Sequence, residues 1–124
     1  MHQALVVDDS RAIRTILGRV LKELGFAVTE AGNGVEALDR IARQSAPFDL
    51  ALVDWNMPEM DGYQLIREVR SRPELDSTIL VMVTTENEIE QIAKALEAGA
   101  NEYVMKPFTR EVIEDKLRLV GVLP

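Results

Sequence analysis

A chain of 124 residues has the length of one domain and can bury well over half of the surface its unfolded form exposes. It contains no cysteine, which excludes a disulfide framework or a thiolate metal site. No N-terminal stretch reads as a signal peptide or membrane span, so the expectation is a single soluble, cytoplasmic domain with no second, output domain attached. A formal net charge of −7 works against non-specific attraction to nucleic acid or anionic lipid, and favours cationic partners or metal ions.

Met1 to Val7 reads as a short tail and a first strand, with the only histidine, His2, in the tail and without a role. Ser10 is placed to cap a helix whose apolar residues Ile13, Ile16, Leu17, Val20, Leu21 and Leu24 recur at steps of three and four on one face; Gly25 ends it. Ala27 to Ala31 reads as a second strand, and Gly32, Asn33 and Gly34 as a turn into a helix that carries Val35, Leu38 and Ile41 and stops before Pro47. The apolar run from Leu50 breaks at Asp54 and gives way to loop chemistry with Pro58 and Gly62. Tyr63 to Val69 then forms a third helix with Leu65, Ile66 and Val69 inward, followed by the polar stretch Ser71 to Ser77 and a fourth strand from Ile79. Glu86 to Ala98 is helical by pattern, with Ile89, Ile92, Ala93 and Leu96 apolar, and Gly99 ends it. The fifth strand is Glu102 to Met105, and Thr109 caps a last helix through Leu119. Strand and helix alternate five times, which predicts an α/β fold: a parallel sheet with helices on both faces.

Continuous apolar runs suit strands buried on both faces, so the polar residue that ends each run emerges at the strand's C-terminal end, where open α/β sheets bind ligands. Asp8 and Asp9 follow the first strand, Asp54 the third, Thr84, Thr85 and Glu86 the fourth, and Lys106 the fifth. Taken singly, each has an ordinary alternative: Asp9, Thr84 or Thr85 as a helix cap, Lys106 as a solvated charge, Tyr103 as a strand aromatic. Together they place three carboxylates, a hydroxyl and an ammonium on one rim. Two carboxylates about 5 Å apart repel by about 3 kcal/mol at an effective dielectric near 20, so the cluster calls for a cation. Oxygen-only ligands select a hard ion, and Mg²⁺ is the natural candidate. Asp54 at the centre has the placement of a nucleophile for phosphorus, with Mg²⁺ and Lys106 offsetting phosphoryl charge and Thr84 in reach of a phosphoryl oxygen.

These motifs, Val-Val-Asp-Asp-Ser-Arg at 6–11, Asp-Trp-Asn-Met-Pro at 54–58, Asp61-Gly62, Val83-Thr84 and Tyr-Val-Met-Lys-Pro-Phe at 103–108, cover essentially the whole chain. The chain resembles the receiver domain of bacterial two-component response regulators in its stand-alone, CheY-like form. The resemblance implies a flavodoxin-like doubly wound (βα)5 three-layer sandwich with a five-stranded parallel sheet of order 2-1-3-4-5. It implies Asp54 as phosphoacceptor (4-aspartylphosphate), Asp8, Asp9, Asp54 and the backbone carbonyl of Asn56 as Mg²⁺ ligands, and Lys106 as the phosphoryl contact. Thr84 and Tyr103 become the switch pair, Ile92, Met105 and Lys116 part of an output surface, and Asn56 and Glu86 the residues that tune attack of water on the acyl phosphate. Implied partners are a sensor histidine kinase as donor and a target protein, whether a flagellar motor component, a phosphatase or a histidine phosphotransfer protein. The receiver promotes its own phosphorylation and dephosphorylation without being an enzyme for another substrate, and is expected to be a monomer. No Gly-rich phosphate loop or Walker lysine is present, as suits a protein that accepts a phosphoryl group rather than binding ATP.

Two other readings share parts of the pattern. A metal-dependent phosphohydrolase of the haloacid-dehalogenase type also uses a strand-end aspartate, but it requires a second aspartate two residues on, where this chain has Asn56, and room for a cap domain. A flavin-binding electron carrier would have to bring a flavin phosphate to an acid-lined rim.

Overall fold

The structure is a computed structural model that describes residues 2–85 and 89–124. Five strands, β1 (His2–Val7), β2 (Phe26–Ala31), β3 (Leu50–Asp54), β4 (Ile79–Thr85) and β5 (Glu102–Lys106), form one sheet in the order β2-β1-β3-β4-β5, every pair parallel. Five helices alternate with them: α1 (Arg11–Glu23), α2 (Gly34–Arg43), α3 (Gly62–Arg70), α4 (Ile89–Ala98) and α5 (Arg110–Leu119). The expected fold and strand order are both present. All five residues of the central strand β3 are buried, as its unbroken apolar run requires.

Because strand side chains alternate, the sheet has two cores. Ala4, Val6, Leu50, Leu52, Val81, Val83 and Val104 pack against Leu17 and Leu21 of α1 and Ile113 and Leu117 of α5. Leu5, Val7, Ala51, Val53, Leu80 and Met82 face the other way, against Ala37 of α2, Leu65, Ile66 and Val69 of α3, and Ile92 and Ala95 of α4.

Local chemistry sets the element ends. Ser10, Asn33 and Thr109 each accept a hydrogen bond from the backbone N–H three residues on, and Asp61 with Gln64 forms a reciprocal capping box at the start of α3. Gly25 (φ 99°) and Gly99 (φ 123°) follow α1 and α4 in the left-handed conformation that ends a helix.

Several expectations need correction. His2 belongs to β1, pairs in register with Phe26 of β2, and sets its ring 5.8 Å from the Phe26 ring. Ile16 and Val35 are half exposed, at 49% and 50%, because each lies at the outer margin of its helix's apolar stripe, beyond the reach of the sheet. Leu96 on α4 is likewise exposed. The polar stretch after α3 contains a 3-10 turn, Pro73–Leu75, which buries Leu75. Arg70 fixes that turn: its guanidinium donates to the carbonyls of Gly99, Leu75 and Thr78 and to the side chain of Asn101, whose oxygen also accepts from the N–H of Leu80. The expected helix start at Glu86 lies outside the described residues, within which α4 runs Ile89–Ala98.

The loop after β3 closes through Gly62, whose N–H donates to the carbonyl of Trp55 at 3.0 Å. A Cβ at Gly62 would overlap the carbonyl oxygen of Asp54 and lie 3.0 Å from Cα of Trp55. Gly62→Ala is therefore expected to destabilise the protein by about 1–3 kcal/mol and to displace the end of β3. Urea unfolding measures the first effect and amide chemical shifts of residues 54–56 the second; an unchanged midpoint and unchanged shifts would show that the close approach carries no constraint.

Candidate functional site

The C-terminal ends of β1, β3 and β5 meet in one pocket. Alternation places Asp8, Asp54 and Lys106 on the α1/α5 side of the sheet, in step with Val6, Leu52 and Val104, and the central position of β3 puts Asp54 between the other two. Carboxylate oxygens of Asp8, Asp9 and Asp54 lie within 4.8 Å of one another. Asp8 and Asp54 are almost wholly buried, whereas Asp9 is exposed.

One ammonium serves two of these acids. Lys106 Nζ donates to Asp8 Oδ2 at 3.2 Å and to Asp54 Oδ1 at 3.1 Å. Oδ1 of Asp8 accepts from the N–H of Ser10 at 2.8 Å, so both oxygens of Asp8 are held. Among the described residues Oδ2 of Asp54 accepts no hydrogen bond. Arg14, which the sequence did not single out, braces the loop that carries Asp8 and Asp9: its Nη1 donates to the carbonyl of Asp8 at 2.6 Å while Nε pairs with Glu30 at 3.1 Å. Its link to Glu30 exists because α1 packs against β2, so no local signal announces it.

Thr84 is buried one residue past the point where Val83 pairs with Asp54, and its hydroxyl donates to the carbonyl of Thr85 at 3.5 Å. Its parity in the strand sets it on the α3/α4 side with Tyr103 and Met105, both of which pack at the margin of that core. Lys116 sits 4.3 Å above the Tyr103 ring and pairs with Glu102 at 3.3 Å, so Tyr103, Met105 and Lys116 do gather at the β5 edge. Ile92 does not join them. It is only 7% exposed and packs inward with Ala95, because its position on α4 faces the sheet rather than solvent; Leu96 is a large apolar residue that α4 exposes. Asn56 is exposed in the loop after β3, and Glu86 lies outside the described residues.

Burial, and then the Asp8 charge, raise the pKa of Asp54 from 3.8 to about 6 against the opposing pull of Lys106. For Lys106 burial works to lower the pKa, but Asp54 and Asp8 outweigh it and hold the ammonium above its ordinary value. The site is short of positive charge, with three carboxylates against one ammonium. This fits a divalent cation in an all-oxygen site, for which Asp8, Asp9 and Asp54 supply hard anionic donors.

The raised pKa of Asp54 has a definite sign. Between pH 3.8 and about 6 the folded protein binds more protons at Asp54 than the unfolded chain, so its contribution to stability falls as pH rises through that window. Above it the ionised group costs about 3 kcal/mol. Lys106, with a raised pKa, contributes stability below its ordinary range near 10.5 and loses it only above, outside this window. In chelator, the stability gained by Asp54→Asn is expected to grow from near zero at pH 4 to about 2–3 kcal/mol at pH 7.5. Saturating Mg²⁺ should shrink that gain by stabilising the wild-type carboxylates. Chemical unfolding across pH measures both; a pH-independent difference would mean that Asp54 is not electrostatically strained.

The sequence profile of the response regulator receiver domain matches residues 4–118. Chemotaxis protein CheY1 of Helicobacter pylori is 42% identical over 117 residues, 94% of either chain. A chemotaxis protein CheY homolog of Campylobacter jejuni is 42% identical over 114 residues, 91% of this chain and 87% of its own. Among solved structures, the chemotaxis response regulator CheY4 of Vibrio cholerae superposes with a TM-score of 0.88 at 34% identity, covering 97% of this chain and 98% of its own. A strand-end acid pocket on a sheet of this order, matched by a family profile along nearly the whole chain, makes the protein a member of the response regulator receiver domain family, with CheY homologues among its relatives.

Proposed function

We infer that the protein is a phosphorylation-activated switch of a two-component system, of the chemotaxis type its relatives are named for, in which Asp54 accepts a phosphoryl group with Mg²⁺. The observation that carries this reading is the position of Asp54: buried at the centre of the rim, with one oxygen held by Lys106 and the other without a hydrogen bond among the described residues. That second oxygen attacks the phosphorus of a phosphohistidine on a sensor kinase. The P–N bond breaks, its electron pair leaves with the imidazole, and an aspartyl phosphate forms. Asp8, Asp9, Asp54 and the carbonyl of Asn56 would hold Mg²⁺, which would supply electrostatic stabilisation of phosphoryl oxygens. Lys106 can shift from its contact with Asp54 to a phosphoryl oxygen without leaving Asp8. Asn56 and Glu86 tune the approach of the water that later attacks the acyl phosphate.

The signal passes through the sheet. A hydroxyl at Thr84 drawn toward a phosphoryl oxygen pulls on the end of β4 and on the connection to α4, and makes room for Tyr103 to turn inward on the same face. Moving such an equilibrium from 1:99 to 99:1 takes about 5.5 kcal/mol, more than one charge-assisted hydrogen bond supplies, so Lys106 and Mg²⁺ share in favouring the active state. Tyr103, Met105 and Lys116 at the β5 edge then present a changed surface to a target, a flagellar motor component, a phosphatase or a histidine phosphotransfer protein.

Incubation with acetyl phosphate should add one phosphoryl mass in Mg²⁺ and none in chelator, and Asp54→Asn should abolish the adduct; an undiminished adduct in either control overturns the assignment. Thr84→Ala is expected to be phosphorylated yet to lose most phosphorylation-dependent target binding. Tyr103→Ala should weaken that binding without slowing phosphorylation. Intact mass scores the first step and titration with the captured target the second, and wild-type switching in both variants would place the output elsewhere.

A further inference from the structure

The groove between α3 and α4 carries chemistry that phosphoryl transfer does not use. Tyr63 on α3 is half-buried along it and holds two cations at its ring: Cζ of Arg67 is 5.7 Å from the ring centroid, and Nζ of Lys94 on α4 is 4.7 Å away. The same ring packs on Trp55, with centroids 5.9 Å apart at 47°, and Trp55 directly follows Asp54. Tyr63, Arg67 and Lys94, with Arg70 and Glu97, line an open cleft of about 510 Å³.

Among the described residues neither Arg67 nor Lys94 forms an ion pair; Arg11, Arg19 and Lys22 form none either, but only Arg67 and Lys94 meet over one ring. Glu68, next to Arg67, is engaged by Arg72 at 3.5 Å, and Arg70 directs its guanidinium to backbone carbonyls and Asn101. Glu97 is left as the one carboxylate lining the cleft, against three cations. In a chain of net charge −7 this is a local reversal of sign.

We propose that this groove docks an acidic segment of a partner protein, with carboxylates on Arg67 and Lys94 and an apolar side chain against Tyr63. A segment fits better than a small anion. The cations flank a ring rather than converge on a point, and Tyr63 to Arg70 extends about 10 Å along α3 at the helical rise of about 1.5 Å per residue. Cation–π contact pre-positions both head groups, which lowers the ordering cost of recognition. Because Tyr63 packs on Trp55, occupancy should also alter the emission of the single tryptophan.

The test uses the full, unphosphorylated chain in chelator, so that its result is separate from that of phosphoryl transfer. Three probes are titrated: a short fluorescent peptide alternating Glu and Leu, its Lys-for-Glu counterpart, and inorganic phosphate. The acidic peptide is expected to bind, to weaken as salt rises, and to lose at least about tenfold in affinity with Arg67→Glu/Lys94→Glu, while the Lys peptide does not bind. Arg67→Ala/Lys94→Ala should fall between, and in a separate incubation with Mg²⁺ acetyl phosphate should still label Asp54 in both variants, with far-UV circular dichroism unchanged from wild type confirming their fold. No binding of the acidic peptide, equal binding of the Lys peptide, or equal affinity in wild type and variants overturns the proposal. Phosphate that displaces the acidic peptide from the groove at comparable affinity also overturns it, by assigning a small-anion site instead.

Discussion

Lys106 spans Asp8 and Asp54 with a single ammonium, at 3.2 and 3.1 Å, and the arrangement of the rim depends on that shared contact. Two buried carboxylates at the ends of adjacent strands repel each other and resist desolvation. Their attraction to one partly buried cation offsets part of that cost and leaves the pocket deficient in positive charge. Three carboxylates against one ammonium leave room for a further cation, as an all-oxygen site for a hard divalent ion requires.

The sheet separates the two halves of the device. Asp8, Asp54 and Lys106 lie in step with the residues that pack on α1 and α5, while Thr84, Tyr103 and Met105 lie in step with those that pack on α3 and α4. In the proposed switch, a covalent change at Asp54 would reach the other side through the strand ends, where Thr84 lies one residue beyond the register pair of Asp54. A path that short would spare both cores, which are close-packed and respond in steps rather than by continuous deformation.

Opposite the rim, the sheet is pinned. Arg70 and Asn101 tie the end of α3, the following 3-10 turn, the start of β4 and the connection between α4 and β5 into one hydrogen-bonded clasp, and Thr78 donates to the carbonyl of Phe48 within the core. Each of these groups would otherwise leave a backbone acceptor or donor unsatisfied, so the clasp is costly to open. A clasp at the N-terminal ends of the strands holds the scaffold whose C-terminal ends carry the clustered charge. This division between scaffold and site is usual when function resides in loops at one edge.

Much of this was legible in the residues themselves. Apolar runs ended by Asp8, Asp54, Thr84 and Lys106 specify strands buried on both faces and bring their polar ends to one edge; Ser10, Asn33 and Thr109 mark helix starts because a short side-chain oxygen satisfies a free N–H; Gly25 and Gly99 mark ends because the backbone there turns left-handed. Tertiary structure alone decided which apolar positions are buried. Periodicity defines a stripe but not its width, so Ile16 and Val35 were expected inside and are half exposed, while Ile92 was expected outside and is buried where α4 meets the sheet. It also decided the long-range polar contacts. The brace of Arg14 on the Asp8 loop, the clasp of Arg70, and the reach of Lys94 over Tyr63 link groups on different elements. Local patterning follows from the period of one element, whereas these contacts arise only when two elements are brought to a particular distance and angle, and no single period encodes that.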